Sequence, residues 1–253
     1  MDARKEILRR VFGDSSDSEE DLELGDGSES DPTHSWVPTK EIKGLWLCRD
    51  FLSPQNQSSL LTTIQNEGWF TEDSHNQAMR FGDLPAWAAE LSDSIHKVLL
   101  SSDFVSDPME LRSSHDGKDN ISPFPSDLLS REPLFDQLIL NSYQPGEGIC
   151  AHVDLMRFED GIAILSLESS CVMHFSPVEG TSRDFLVDGD KDPPTTKIPV
   201  HLTPGSLILM SGEARYLWKH EINRTPGFQK WEGKELHQKR RISITLRKLC
   251  QVE

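Results

Sequence analysis

The chain has 253 residues and a mass of 28.6 kDa, the size of one large domain or of one domain with a tail. Its 42 acidic residues outnumber its 26 lysines and arginines, and the net charge of -16 argues against a cationic surface that binds nucleic acid non-specifically. No apolar run reaches the roughly 18 residues of a transmembrane helix, and we expect no secretory signal because the amino terminus lacks an apolar core.

The first 35 residues differ in composition from the rest of the chain. Nine acidic residues and no basic residue occur between positions 14 and 31, and serines fill much of the remainder. Such a segment has too little apolar surface to offset the entropy of ordering. We therefore predict a disordered acidic tail over 1–35 and a folded domain over 36–253. The tail is either a solubilising segment or an acid-directed phosphorylation site around its serines (Ser15, Ser16 and Ser18).

Two helices are predicted early in the folded domain. Ser53 and Pro54 favour a helix start, because serine caps free backbone N–H groups and proline fits the first helical position. A second helix is predicted over 85–100, where large apolar residues recur at helical spacing (Trp87, Leu91, Ile95, Val98 and Leu99). The polar segment 101–125 is predicted to be a loop, and a short helix is predicted at 126–131.

From residue 137 onward the sequence is typical of short β-strands. Eight runs rich in Ile, Leu and Val are separated by turn signals such as Pro145-Gly146 and Pro204-Gly205. The predicted strands lie at 137–143, 149–154, 162–168, 171–175, 197–202, 206–210, 215–222 and 241–247. This pattern predicts an α+β, mainly β fold, namely a double-stranded β-helix (jelly roll) with the two helices packed on one sheet.

The four cysteines are widely spaced and form no CxxC pair (Cys48, Cys150, Cys171 and Cys250). Cysteines in close pairs are the usual sign of a disulfide framework or of a zinc site. We therefore expect reduced thiols, and with them a cytoplasmic or nuclear location.

A candidate metal site is formed by two histidines and an aspartate. His152 and Asp154 are two residues apart on a predicted strand, which places both side chains on one face. Alone this pattern is weak, because a structural histidine is more common than a ligand. His220, at the end of another predicted strand, adds a second imidazole. Two histidines and one carboxylate are the facial triad of non-haem Fe(II) oxygenases, which leaves coordination positions open.

The last predicted strand alternates apolar and polar residues. Ile242, Ile244 and Leu246 face one way, and the polar residues face the other (Arg241, Ser243, Thr245 and Arg247). The pattern fits an edge strand with a solvated face. It equally fits a clamp for a dicarboxylate, because guanidinium groups match carboxylates with two hydrogen bonds. Asn141 and Tyr143 likewise share one face, shortly before the His-x-Asp motif.

These segments together resemble the AlkB family of Fe(II)- and 2-oxoglutarate-dependent dioxygenases. The resemblance covers about 51–249 and includes the Asn-x-Tyr pair, Gly146, Gly148, both metal-ligand segments and the arginine-rich last strand. It is strongest to the branch that hydroxylates modified uridine at the tRNA wobble position, where RNA-binding and methyltransferase domains usually accompany the oxygenase. A chain of this length has no room for either. Glu168 and Glu221 depart from the pattern, since glycines are expected there.

The resemblance implies a reaction that uses Fe(II), 2-oxoglutarate and O₂. His152, Asp154 and His220 would bind the iron. Five residues would bind 2-oxoglutarate, at its far carboxylate (Arg241, Tyr143 and Ser243) and at its metal-proximal end (Asn141 and Arg247). Oxidative decarboxylation of 2-oxoglutarate would drive hydroxylation of the substrate, with loss of formaldehyde where the oxidised carbon is an N-methyl group.

Substrate contacts are expected between the two predicted helices and after the His-x-Asp motif. The family's substrate lid corresponds to residues 68–82 here. Four lid side chains, together with Arg157 beyond the motif, are candidate contacts for a flipped base or a phosphate (Trp69, Phe70, Arg80 and Phe81). The aromatic residues equally fit a structural role that fastens the helices to the barrel.

The segment from Arg215 to Lys248 is basic, with ten bases and three acids. Four of the bases fall in a predicted polar loop that is either solvated or follows a phosphate backbone (Lys230, Lys234, Lys239 and Arg240). The rest of the domain stays acidic, so we expect weak, local binding of nucleic acid and a partner protein that delivers the substrate.

We predict an oxidative demethylase or hydroxylase that acts on modified bases in nucleic acid, RNA in preference to DNA, as a monomer without membrane association. One alternative is a protein-directed oxygenase, either a hydroxylase or a lysine demethylase. Another is a non-catalytic binding module on the same fold. Aromatic residues with a cation in the lid favour a base, acids there would favour a cationic side chain, and the intact triad argues against a binding module.

Overall fold

The computed structural model describes residues 34–70, 76–101, 122–178 and 197–251. The predicted acidic tail, except for its last two positions, lies outside the described residues, as does most of the predicted loop at 101–125. None of the described helices is both long enough and apolar enough to cross a membrane.

The described residues contain four helices, two of them long. The helices are α1 (Pro54–Asn66), α2 (Ala86–Ser101), α3 (Ser126–Leu129) and α4 (Glu213–Tyr216). The predicted start of α1 is confirmed: the Ser53 hydroxyl accepts the backbone N–H of Asn56 at 3.2 Å, and Pro54 is the first helical residue.

Thirteen strands occur in the same part of the chain. They are β1 (Trp36–Pro38), β2 (Leu45–Cys48), β3 (Gln77–Phe81), β4 (Gln137–Tyr143), β5 (Ile149–His152), β6 (Ile162–Leu167), β7 (Cys171–Pro177), β8 (Ile198–Leu202), β9 (Leu207–Met210), β10 (Trp218–Ile222), β11 (Lys230–Trp231), β12 (Lys234–Glu235) and β13 (Arg241–Arg247).

The strands form two main antiparallel sheets. The larger sheet has seven strands in the order β1-β2-β9-β6-β13-β4-β3, and the smaller has four in the order β5-β10-β7-β8. β11 and β12 form a separate hairpin. Because consecutive positions of a strand point to opposite faces, the interior of the jelly roll is lined by alternate residues of both sheets. The predicted fold class is confirmed.

Two apolar clusters hold these layers together. One joins the helices to the outer face of the larger sheet and includes Leu60 and Ile64 of α1, Leu91 and Ile95 of α2, and Leu138 of β4. The other fills part of the space between the sheets (Leu45, Leu47, Ile162, Ile164, Met173, Phe175, Leu202, Ile208 and Met210). Helices α1 and α2 therefore pack on one sheet, as predicted.

The position of β13 decides between the two interpretations of its alternating sequence. It lies between β6 and β4 and all seven of its residues are buried, so it is not an edge strand. Ile242, Ile244 and Leu246 belong to the helix-side cluster. The polar residues therefore face the interior, between the two sheets.

Two details of the predicted strands were wrong. Asp154 lies beyond the end of β5, and the segment before His220 begins as the helical turn α4, because the N–H groups of Arg215 and Tyr216 both bond to the carbonyl of Gly212. The predicted substrate lid contains the edge strand β3, and the predicted basic loop contains the β11–β12 hairpin. Short strands of this kind carry too few residues to show a periodic pattern.

Candidate active site

The three candidate metal ligands converge at one end of the jelly roll. His152 ends β5 and lies directly opposite His220 of β10, so sheet register brings the imidazoles together with ring centroids 4.3 Å apart. Asp154 follows β5, and one ligand atom from each of the three residues lies within 4.8 Å of the others. Among the described residues this is the one such group of histidine, cysteine and acidic side chains.

Both imidazoles are prepared to act as metal ligands. His152 Nδ1 lies 2.8 Å from the carbonyl oxygen of Cys150. A carbonyl only accepts hydrogen bonds, so Nδ1 carries the proton and the lone pair of Nε2 is free for a metal. Burial lowers the pKa of His220 to about 4, which keeps this ring neutral at physiological pH despite the neighbouring Asp154 carboxylate.

Asp154 has one carboxylate oxygen engaged and one unengaged. Oδ1 forms an ion pair with Arg247 of β13, which joins the ligand turn to the larger sheet. Oδ2 is buried, has no hydrogen-bond partner in the described part of the chain, and lies 3.7 Å from His220 Nε2. A buried carboxylate oxygen without a partner is costly, and a divalent cation would satisfy it. The donor set of two nitrogens and one oxygen therefore fits Fe(II).

The predicted 2-oxoglutarate residues are neighbours through the register of β13 and β4. Arg241 lies opposite Tyr143, Ser243 lies opposite Asn141, and Arg247 lies opposite Gln137. On its other side Ser243 lies opposite Ser166 of β6. All of these side chains share the interior face of the larger sheet, so one surface extends from the metal ligands at the Arg247 end to Arg241 at the other.

Arg241 is a buried cation that lacks an anionic partner. It is 1% exposed, donates from Nη2 to the Ser166 hydroxyl at 2.8 Å, and has no acceptor for Nε among the described residues. None of the ion pairs within the described ranges involves it. Its guanidinium lies 5.7 Å from the centroid of the Tyr143 ring, and burial raises the pKa of Tyr143, so that hydroxyl stays protonated and can donate. The pair fits a carboxylate of 2-oxoglutarate.

The metal-proximal candidates are held by two amides of the larger sheet. Gln77 of β3 donates to Asn141 Oδ1 at 2.7 Å. Arg247 Nη1 donates to Gln137 Oε1 at 3.4 Å while the same guanidinium pairs with Asp154. Both candidates therefore have fixed positions on the wall that leads to the metal ligands.

The five candidate substrate residues divide between the two faces of β3. Arg80 lies on the helix side, with its guanidinium 4.2 Å from the centroid of Trp69, and Trp69 and Phe70 pack against the helix-side cluster. Phe81 points to the interior face, is 47% exposed, and has the Arg157 guanidinium 5.4 Å from its ring centroid. The structure thus brings only Phe81 and Arg157 to the side of the metal ligands.

Phe158 lies between Arg157 and Arg247, the arginine that pairs with the ligand Asp154. Its ring has the Arg157 guanidinium 5.0 Å away and the Arg247 guanidinium 4.8 Å away. Phe158 itself is 2% exposed, whereas the neighbouring Leu155 and Met156 are 60% and 67% exposed. An exposed rim of Leu155, Met156 and Arg157 therefore lies next to Phe81.

Glu168 and Glu221, which replace glycines expected from the family resemblance, each form an ion pair. Glu168 adopts a left-handed backbone with φ of 70°, a conformation that favours glycine, and its carboxylate accepts Arg240 Nε at 2.8 Å. Glu221 has 14% of its side chain exposed and pairs with Lys197. Because Arg240 is paired, it is less available to a phosphate backbone than its position in the sequence indicated.

Three polar residues of the site were not identified from the sequence. Ser166 interrupts an apolar run on an internal strand, and Gln137 begins another, which were signals of an interior polar face. Arg215 was recognised only as a basic residue, although its guanidinium is bonded to the turn that carries Asp154. No sequence pattern indicates that contact, because it joins two segments that fold together only in three dimensions.

Comparisons with known proteins agree with this geometry. The family model described as 2OG-Fe(II) oxygenase superfamily matches residues 44–247. A protein of Arabidopsis thaliana named alkylated DNA repair protein ALKBH8 homolog is 31% identical over 82% of this chain and 59% of its own length. The Xenopus tropicalis protein named tRNA (carboxymethyluridine(34)-5-O)-methyltransferase alkbh8 is 29% identical over 71% of this chain and 25% of its own length.

The solved structure of OsALKBH1 shares the fold, with a TM-score of 0.51 at 12% identity, over 85% of this chain and 100% of that one. The chain spans 59% and 25% of the lengths of the two curated relatives described above, less than two thirds of each. The metal triad, the unpaired interior arginine, the jelly roll and the family match lead to one conclusion. This chain belongs to the 2OG-Fe(II) oxygenase superfamily and is a dioxygenase that uses Fe(II), 2-oxoglutarate and O₂.

Proposed function

We propose that this enzyme oxidises modified bases in nucleic acid, RNA in preference to DNA, by hydroxylation or by oxidative demethylation. The observation that carries the proposal is the Phe81–Arg157 pair, which presents an aromatic face and a cation beside the metal ligands. An aromatic ring suits the π face of a base, and a guanidinium suits a phosphate.

We assign the metal to His152, Asp154 and His220. When bound, Fe(II) with 2-oxoglutarate supplies O₂ activation coupled to oxidative decarboxylation, the chemistry that oxidises a substrate C–H bond. The two histidines provide nitrogen donors: the contact of His152 Nδ1 with the Cys150 carbonyl leaves Nε2 as the ligand atom, and burial lowers the pKa of His220 to about 4. Arg247 holds Oδ1 of Asp154, which directs Oδ2 toward His220.

We assign the far carboxylate of 2-oxoglutarate to Arg241, Tyr143 and Ser243. Arg241 contributes a desolvated positive charge, oriented by its hydrogen bond to Ser166. Because the arginine is almost fully buried, water competes little for its hydrogen bonds, and a charge-assisted pair there is strong. Asn141 and Arg247 are assigned to the end of the cosubstrate nearer the metal.

The rim around Phe81 supports a flat, uncharged ring as the reacting part of the substrate. Met79 is 40% exposed and shares the interior face of β3 with Phe81. Leu155 and Met156, which precede Arg157 in the chain, are also apolar and exposed. Stacking of a base on an aromatic side chain contributes about 1–3 kcal/mol. A methylated lysine is less compatible, because the charged group over Phe81 is itself a cation.

The preference for RNA is supported by the name of one of the two relatives. The frog relative is named for a tRNA methyltransferase, and the Arabidopsis relative for repair of alkylated DNA. The methyltransferase activity in the first name belongs to a protein of which this chain spans 25%. We propose only the oxidation step for this chain, on a substrate delivered by a partner protein, since a net charge of -16 disfavours binding of nucleic acid.

The test uses purified protein with Fe(II), 2-oxoglutarate and either tRNA, mRNA or DNA from cells that lack the enzyme. We expect succinate release and a change in at least one modified nucleoside of the RNA by mass spectrometry. A methylated histone peptide provides the protein-substrate comparison. The proposal would be overturned if no modified nucleoside changed in RNA or DNA while the peptide was turned over.

A matched pair of variants tests the rim. Arg157→Gln removes the cation on the interior side of β3, and Arg80→Gln removes the cation that lies over Trp69 on the helix side. We expect the first to raise KM for nucleic acid about 10-fold and the second to change it less than about twofold. Equal effects of the two variants would contradict the assignment of Phe81 and Arg157 to the substrate.

A further inference from the structure

Arg215 makes a set of contacts that the proposed reaction does not use directly. It lies in α4, immediately before the strand that carries His220, and is 1% exposed. Its guanidinium donates to three backbone carbonyls of one turn, at 3.0 Å from Nη1 to Asp154 and at 2.9 Å and 3.2 Å from Nη2 to Leu155 and Phe158.

We propose that Arg215 is a positioning residue that fixes the backbone of residues 154–158, the Asp154 turn. This one side chain then determines the position of the carboxylate ligand Asp154 and of the substrate rim at 155–157. The proposal rests on the assignment of the metal to His152, Asp154 and His220. It assigns Arg215 no contact with metal, cosubstrate or substrate.

The geometry of these hydrogen bonds explains why an arginine is needed. Asp154 and Leu155 lie outside any strand and Phe158 forms only an isolated bridge with Leu249, so their carbonyls have no partners from a sheet ladder. The Leu155 carbonyl also accepts the N–H of Phe158 at 3.1 Å. Buried carbonyls without partners are destabilising. The planar guanidinium presents its donors at fixed angles on two terminal nitrogens and so spans acceptors along the turn, whereas the three donors of a lysine ammonium share one freely rotating nitrogen.

Asp154 is consequently fixed at two points. Arg215 holds its backbone carbonyl, and Arg247 holds its carboxylate. Arg215 belongs to the segment that leads into His220, whereas Arg247 belongs to the larger sheet. The aspartate therefore cannot move relative to either structure without breaking a charge-assisted hydrogen bond.

The far side of the turn is fastened to the end of the chain. The N–H of Cys250 donates to the Arg157 carbonyl at 2.9 Å, and the N–H of Glu159 donates to the Lys248 carbonyl at 2.8 Å. The backbone of the turn is thus bonded on both sides, while Leu155 and Met156 project outward. Loosening the turn at Arg215 would disturb a metal ligand and the rim together.

Arg224 provides a matched control. It is 2% exposed and also donates to two backbone carbonyls, those of Gln144 and Lys239, at 3.0 Å and 2.7 Å. Its acceptors belong to the turn after β4 and the segment before β13, at the Arg241 end of the larger sheet. Arg224→Met therefore removes a comparable buried guanidinium without touching the Asp154 turn.

The experiment compares Arg215→Met, Arg215→Lys and Arg224→Met in the full chain. Mn²⁺ binding is measured by electron paramagnetic resonance, and hydrogen exchange is measured at the amides of 155–158. We expect Arg215→Met to weaken Mn²⁺ binding about 10- to 100-fold and to speed exchange in the turn, with a smaller loss for Arg215→Lys. Arg224→Met should lower the melting temperature with Mn²⁺ affinity unchanged.

Equal Mn²⁺ affinity in Arg215→Met and Arg224→Met would overturn the proposal and leave Arg215 a purely structural residue. If Arg215→Met does not fold, Arg215→Lys decides, since wild-type Mn²⁺ affinity and turn exchange in that variant would also overturn it. These readouts need no substrate, so they are independent of whether the base-oxidising function is correct. Loss of Mn²⁺ binding in every variant, including Arg224→Met, would likewise contradict a specific role.

Discussion

Arg247 pairs with one carboxylate oxygen of Asp154 and leaves the other, Oδ2, buried and without a hydrogen-bond partner among the described residues. An arginine that bonded to both carboxylate oxygens of Asp154 would compete with a metal. The observed arrangement orients the carboxylate and keeps one oxygen available as a ligand. The same guanidinium lies 4.8 Å from the Phe158 ring, so the ligand, the larger sheet and the rim are in contact.

The unpaired charge of Arg241 leads to a prediction about the cosubstrate. Arg241→Met removes the charge that we assign to the far carboxylate of 2-oxoglutarate. A charge-assisted hydrogen bond contributes about 1.5–3 kcal/mol, so the Kd for 2-oxoglutarate should rise about 10- to 150-fold. Calorimetric titration of 2-oxoglutarate into the Mn²⁺-loaded protein measures this change.

The control for that experiment is Ser166→Ala, which removes only the hydroxyl that accepts from Arg241. We expect a rise in Kd of a few-fold, because the charge stays and only its orientation is loosened. Mn²⁺ affinity should be unchanged in both variants, since neither residue touches the metal ligands. Wild-type affinity for 2-oxoglutarate in Arg241→Met would show that another residue binds the carboxylate.

Gly148 is required by a close approach of two strands. A Cβ atom at this position would lie 1.9 Å from the carbonyl oxygen of Ile222 in β10. Gly148→Ala must therefore push β5 away from the strand that carries His220. We expect a loss of at least about 2 kcal/mol in the free energy of unfolding, together with weaker Mn²⁺ binding.

Gly146→Ala is the comparison for that variant. Its Cβ would meet no atom within 4 Å, but its φ of 87° is a left-handed conformation. We expect a cost of about 1–2 kcal/mol from the backbone alone and unchanged metal binding. Chemical denaturation of both proteins gives the two values, and a milder effect at position 148 than at 146 would mean that β5 and β10 are not packed as described.

The four thiols should differ in reactivity. Cys150 and Cys250 are exposed, whereas Cys48 and Cys171 are buried. Burial raises the pKa of Cys48 to about 12 and raises that of Cys171, so both stay protonated and unreactive at pH 8. A thiol-disulfide reagent at pH 8 should titrate two thiols in the native protein and four after denaturation. Rapid reaction of all four without denaturant would contradict the packing of the core.

The polar alternation of the last strand, the His-x-Asp motif and the distal histidine were visible in the sequence because period-two patterning and ligand chemistry are local signals. The sequence did not show that β13 lies in the middle of a sheet. That position buries its polar face between the two sheets, where it can bind the cosubstrate. Sheet order depends on contacts between distant segments.

The substrate rim shows the same limit. Trp69, Arg80, Phe81 and Arg157 had equal standing in the sequence, and only the pairing of β3 with β4 places Phe81 on the metal side and Arg80 on the other. A one-residue change of register would exchange these roles. The bonds of Arg215 to the Asp154 turn likewise depend on tertiary packing.

The most direct test of the account is a titration of Mn²⁺ or anaerobic Fe(II) into wild-type protein and into Asp154→Ala, His220→Ala and His201→Ala. His201 is the matched control, a partly buried histidine of β8 that stacks on Trp231 and does not belong to the candidate metal site. We expect a single metal site in the wild type and in His201→Ala, and a loss of affinity of at least about 100-fold in the other two variants. Wild-type metal affinity in Asp154→Ala and His220→Ala would contradict it.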